Sequence, residues 1–299
     1  FGFCFALLVL GQSLQAYRGM IAGSSLLILM GVVDDFKELR PRLRLIGQVL
    51  AAIFLTAWGG KLVSNLGDIF FMGDVQLAMW AFPVTVICIV GFINSMNMLD
   101  GQDGLAGGVA LTQSFLLFLL ATQEHLHGDM RMLVIISVIL MVFLSFNMRT
   151  PLRRKASIFM GDSGITFVAF LISWFAIELS QADAALIRPM SILWILAFPL
   201  FDLVAVSLHR LSNGKPVFQA SRDHFHHLLH VAGLSVELST FLLCMLSFGL
   251  GGIGLIMNAY HVVEGWQFLS FIGALILYLV LVKCVRDPVM KAVLENEPA

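Results

Sequence analysis

Asp34 and Asp35 stand side by side at the end of an apolar segment, MIAGSSLLILMGVV, where two carboxylates must ionise together beside a cation or leave one protonated. At the negative end of a helix dipole this needs a positive partner. Lys37 and Arg40 can serve at an ordinary helix end, or a metal ion can. NSMNMLDGQDGLAGG, residues 94–108, spaces Asn97, Asp100 and Asp103 by three, which is one face of a continuous helix. Gly101, Gly104, Gly107 and Gly108 instead predict a helix broken there, with backbone free to approach a ligand; the bland reading is a polar turn. In IFMGDSG, residues 158–164, Asp162 opens an apolar segment behind the basic run RTPLRRK. It is either an N-cap or a carboxylate beside arriving phosphate oxygens. Residues 209–233 gather Arg222, His224, His226, His227 and His230. That spacing is not the HExxH pattern, so zinc is only weakly indicated. It is a solvated loop, or a set of donors for a diphosphate whose charge changes near the imidazole pKa of about 6.5. Asp202 lies inside an apolar stretch, about two helical turns before Arg210, either as a functional group or as that arginine's partner.

The elements that position these groups follow from hydropathy. Of 299 residues 59% are hydrophobic and 12% charged, against about a quarter charged in soluble domains, so lipid is the solvent. A net charge of -1 leaves no basic surface for nucleic acid. Uncharged runs at 45–60, 75–99, 104–123, 132–148 and 238–260 have near-spanning lengths, and 1–17, 19–33, 163–177, 189–201 and 265–282 are shorter or carry one carboxylate. They predict an all-α polytopic bundle of about ten transmembrane helices in a single membrane domain, 1–299, with a histidine-rich loop at 209–234. Alternating strands are lacking, which excludes an outer-membrane barrel. Cys4, Cys88, Cys244 and Cys284 have no CxxC spacing and read as core residues. The chain begins with Phe1 inside an apolar segment, so we expect sequence upstream.

One alternate set of connections holds Lys37, Arg40, Arg42 and Arg44, then Arg149, Arg153, Arg154 and Lys155, then Arg210, Lys215 and Arg222, and the tail Lys283, Arg286 and Lys291. The other holds only Arg18, Lys61, Arg131 and Arg188. The positive-inside rule makes the first set cytoplasmic, and Asp34, Asp35, Asn97, Asp100, Asp103, Asp162, His224, His226 and His227 fall in or beside it. A secondary transporter or ion-coupled channel is the rival class; its sites lie near the midplane between repeated halves, and no repeat is visible here.

Taken in order, GVVDDFKELRPRLRLIGQ, NSMNMLDGQDGLAGG, the Asn147 of FLSFN, FMGDSG and SRDHFHHLLHVAGLS resemble the polyprenyl-phosphate N-acetylhexosamine-1-phosphate transferase superfamily. The RDHxHHLL form is similar to its undecaprenyl-phosphate alpha-N-acetylglucosaminyl 1-phosphate transferase branch. The resemblance implies transfer of GlcNAc-1-phosphate from UDP-GlcNAc, or a related UDP-N-acetylhexosamine, to undecaprenyl phosphate at the cytoplasmic face of a bacterial inner membrane. It implies a homodimer in membrane lipid, with magnesium or its substitute manganese. Asp162 and Asp35 would hold the metal, Asp34, Asp35, Asp100 and Asp103 would serve catalysis, and Asn97, Asn147, Phe159, Arg222, His224, His226 and His227 would bind substrate. Gln102 stands where the family's DGxDG motif usually has an apolar residue.

Overall fold

The computed structural model describes residues 9, 14–37, 39–123, 126–149, 153–181, 187–214 and 224–296, without the side chains of Asp35 and of 289–296. Arg222 therefore lies outside the described residues, as does the Asp35 side chain. Among the described residues the elements are helical: α1 Arg18–Lys37, α2 Pro41–Ile53, α3 Ala81–Leu99, α4 Leu105–Gln123, α5 His127–Asn147, α6 Gly161–Ser180, α7 Pro189–Ile195, α8 Ala197–Ser212, α9 Phe225–Val231, α10 Val236–Ala259 and α11 Glu264–Asn296. A π-helical turn, Phe54–Trp58, continues α2, and a short 3₁₀ turn, Ala78–Trp80, leads into α3.

Local chemistry sets several boundaries. Pro41 and Pro189 open α2 and α7, where a missing N–H costs nothing. Ser235 caps α10, its Oγ accepting from Leu238 N at 3.2 Å. Gly104, at φ +79°, turns the chain into α4, and Gly161, at φ +67°, starts α6.

α3, α4, α5, α6, α10 and α11 are long and apolar enough to cross a membrane, and α7 with α8 makes a seventh span if that bent pair, broken by 71°, is one crossing. Among the described residues the expected ten is not reached. The apolar part of α1 gives way to Asp34 and Asp35, run 45–60 is divided between α2 and the π turn, run 189–201 is broken at Leu196, and most of 1–17 lies outside the described residues. α6 forms the centre, with most of its apolar residues buried and packed against α1, α3 and α4, whereas few of those of α11 are buried within the chain. Exposed Trp58, Trp80 and Trp266 line the end opposite Asp34, Asp100, Asp103 and Asp162, as interfacial aromatics do. At that end Lys61 pairs with Glu178 and Arg188 with Glu264.

Candidate functional site

The ends of α1, α3, α5 and α8 and the starts of α2, α4, α6 and α9 share the basic end of the bundle, and the singled-out residues collect there. Asp34, 8% exposed in the last turn of α1, accepts from Leu39 N at 2.5 Å and from Arg44 Nη2 at 2.8 Å. The other arm of the same guanidinium, Nη1, donates to Asp162 Oδ2. One arginine thus holds carboxylates from α1 and α6 together, and its planar fork suits that task. Asp162 does not cap α6: the N-cap is Met160, without a side-chain bond. Around this pair lies a cleft of about 350 Å³, open solvent included, also lined by Gln48, Asn97 and Thr166. Asn97 Oδ1 is buried there without a hydrogen-bond partner, a cost to folding unless a ligand meets it.

The break expected in 94–108 is present: α3 stops at Leu99 and α4 starts at Leu105. Burial, and then the negative charge of Asp162, push the Asp100 carboxyl up to about 7. Asp103 is paired with Arg149 at 2.7 Å. Asn147 is a splint: its Oδ1 accepts from Gly104 N at 2.8 Å and its Nδ2 donates to Ile158 O at 2.7 Å, tying the break to the strand of chain before Asp162. Both ends of its amide therefore serve backbone. Phe159 is 76% exposed, three residues before Asp162.

Part of the predicted loop is helix, since 209–212 belong to α8 and 225–231 form α9. His226 is 1% exposed, and neither ring nitrogen has a hydrogen-bond partner. Burial, then His227, push it down to about 3, so it stays neutral with one donor and one acceptor. The change of worth near pH 6.5 expected of these histidines does not hold for this one. His226 lies 4.1 Å from His227 and 5.9 Å from His224, ring centre to ring centre. A Cβ on Gly101 would come 2.8 Å from His226 Nε2, so glycine there is required by close approach. Gln102 joins α9 to α10: its Nε2 donates to Val236 O, Ser239 Oγ and Thr240 Oγ1, while its Oε1 faces His230 Nε2 at 2.8 Å. His224 is buried, its Nδ1 at 2.8 Å from Asp202.

The model of the family described as Glycosyl transferase family 4 matches residues 17–180, more than half of the chain. The chain belongs to glycosyl transferase family 4. The match takes in Asp34, the α3–α4 break and Asp162, the parts that meet in the cleft. Among similar proteins, one named undecaprenyl-phosphate alpha-N-acetylglucosaminyl 1-phosphate transferase, from Yersinia pestis, is 31% identical over 93% of this chain and 76% of its own length. Proteins of the same name from Escherichia coli K12 and Haemophilus influenzae are 28% and 30% identical, over 93% and 85% of this chain and 76% and 71% of their own lengths.

In this family 4 chain, sequence reasoning missed Arg44, counted only as one of four basic residues in its loop. It also missed the anchoring of His224 by Asp202, because neither partner is marked by local spacing. Among the described residues no three His, Cys, Asp or Glu side chains form a closed metal cage. The carboxylates held by Arg44 instead fit a hard divalent cation that takes one or two protein carboxylates and leaves its remaining positions to phosphate and water.

Proposed function

We propose that this family 4 member transfers GlcNAc-1-phosphate from UDP-GlcNAc to undecaprenyl phosphate, as a homodimer in a bacterial inner membrane with its site on the cytoplasmic face. The carrying observation is the Arg44 bridge between Asp34 and Asp162, which brings acidic groups from distant helices together at the basic end of the bundle. The names of the similar proteins support the same reaction. The acceptor's phosphate oxygen forms a bond to the phosphorus beside the sugar, the bond from that phosphorus to the bridging oxygen breaks, and UMP leaves with that oxygen. The acceptor phosphate, with a second pKa of about 6, is already mostly a dianion, so the chain's task is positioning and charge neutralisation.

Asp162, with Asp34 or Asp35, would hold magnesium, which supplies positive charge to the diphosphate. Asp100 and Asp103 orient the acceptor, Asn97 meets the donor from the cleft wall, and His226, His227 and Arg222 hold the diphosphate. The test is a transfer assay in detergent with a panel of UDP-sugars and labelled undecaprenyl phosphate. Product with UDP-GlcNAc is expected. Absence of product with every donor overturns the reaction, and turnover without a membrane to cross is an outcome transport cannot produce.

Two predictions arise here. Phe159→Ala is expected to lower kcat/KM for UDP-GlcNAc about fivefold or more, the worth of one aromatic stacking contact, because on this reading the exposed ring would lie on uracil. Unchanged donor kinetics remove it from the site. The second concerns pH. Transfer is expected to rise with pH through a limb near 7 at low magnesium as Asp100 ionises. The limb moves to lower pH as magnesium rises, because a cation at Asp162 cancels the repulsion that helps to raise Asp100. Its loss from the residual activity of Asp100→Asn separates it from titration of the acceptor phosphate; a flat wild-type profile across neutrality refutes the assignment.

A further inference from the structure

Asp202 is 2% exposed in α8, and its carboxylate receives three donors. Oδ2 meets His224 Nδ1 at 2.8 Å, and Oδ1 accepts from Phe225 N at 3.2 Å and from Tyr278 OH at 3.0 Å. One side chain thus ties α8 to the first residue of α9 and to α11. Because a carboxylate only accepts, the hydrogen on the His224 ring is drawn to Nδ1, which leaves Nε2 as the open end.

The geometry carries this order onward. The His224 ring lies within 12° of parallel to His226, which in turn packs on His227. α9 has seven residues, too few to be stable as an isolated helix, so the placement of its imidazoles depends on what holds its ends. Gln102 holds one end through His230. Asp202 holds the other.

We propose that Asp202, assisted by Tyr278, is a positioning residue for donor binding: it fixes the tautomer and seat of His224 and, through the packed rings, the place of His226 and His227 beside Gly101. This rests on the reading of the site as a sugar-phosphate transfer site. Asp202 touches no substrate and acts through the histidines.

The experiment compares the wild-type chain in detergent with Asp202→Asn, Tyr278→Phe, His224→Ala and the Asp202→Asn/His224→Ala pair. Ser191→Ala serves as a control that removes a buried polar contact to Gln267 elsewhere. Each is read by donor titration, acceptor titration, thermal denaturation and ¹⁵N-histidine spectra. Asp202→Asn is expected to lower kcat/KM for UDP-GlcNAc about 10- to 100-fold, the usual loss when the partner that orients a functional histidine is removed. The KM for undecaprenyl phosphate stays within about twofold, the scatter of uncoupled sites. Tyr278→Phe, which keeps the carboxylate and removes one neutral hydrogen bond, costs about fivefold. The paired variant is no worse than His224→Ala alone. The His224 resonance, found by its loss in His224→Ala, shows Nδ1 protonated in wild type and shifts in Asp202→Asn. A drop in thermal stability like that of Ser191→Ala, with donor kcat/KM and the His224 resonance unchanged, overturns the proposal. If wild type transfers no sugar phosphate, the proposed function falls, and the His224 resonance still decides the anchoring.

Discussion

Replacing Asp162 by Asn is expected to lower sugar-phosphate transfer about 10³-fold or more, on the scale of losing a main charge-stabilising group, while the protein stays folded. Asp162 is 43% exposed and shares Arg44 with Asp34. An ion pair so open to water contributes about 0–1 kcal/mol. Its carbonyl, which accepts from Thr166 Oγ1, is unchanged by the substitution. Asn keeps the volume and removes the charge, so any large loss reports on chemistry. Asp34 is a poorer probe, because it is buried and also receives Leu39 N; its loss would weaken the end of α1 as well. Transfer is measured across a magnesium titration, with gel filtration and thermal melting as checks on folding. Near-normal turnover at saturating magnesium ends the assignment of Asp162 as metal ligand.

Gly101→Ala should be similarly telling for a single methyl group, with donor kcat/KM falling about 100-fold, the penalty of a misplaced catalytic group. Gly101 does not have a positive φ, so its backbone admits alanine without strain, and any loss of stability comes from crowding, about 1–3 kcal/mol. The obstacle is space. The added Cβ would stand 2.8 Å from His226 Nε2 and 3.5 Å from His227 Nε2. The His226 ring cannot simply swing aside, being packed on His224 and His227. Donor and acceptor titrations with a thermal melt check this. Wild-type donor kinetics in a stable Gly101→Ala protein would show that the histidines do not need their present seat.

The side of the site was legible because charges are scarce in a membrane chain, so Asp34, Asp100, Asp103 and Asp162 stood out against apolar surroundings. The break between α3 and α4 was legible from glycine. The number of spans was not, because composition does not tell where a helix bends: the turn at Leu196 and the π turn after Ile53 both interrupt runs that read as continuous. Pairings across the fold were also hidden. Asp202 suggested Arg210 by helical period, yet the carboxylate found His224, 22 residues on, and Tyr278 in the last helix. Asn147 entered only through the resemblance, and only the backbone groups around it reveal a splint.

The Arg44 bridge also sets an order of events in biogenesis. Asp34 can meet Arg44 as soon as α1 and α2 have formed, so its charge has a partner early. Asp162 is 118 residues from Arg44 in the chain, and contacts of such long separation close late. Synthesis delivers the N-terminal helices first, and α6 must then settle against α1, α3 and α4 before the second carboxylate arrives. A nascent chain therefore carries half of its acidic pair, already neutralised by the same arginine, until α6 is in place. The two carboxylates therefore stand together only when the bundle closes, so an incompletely inserted copy lacks the assembled cleft.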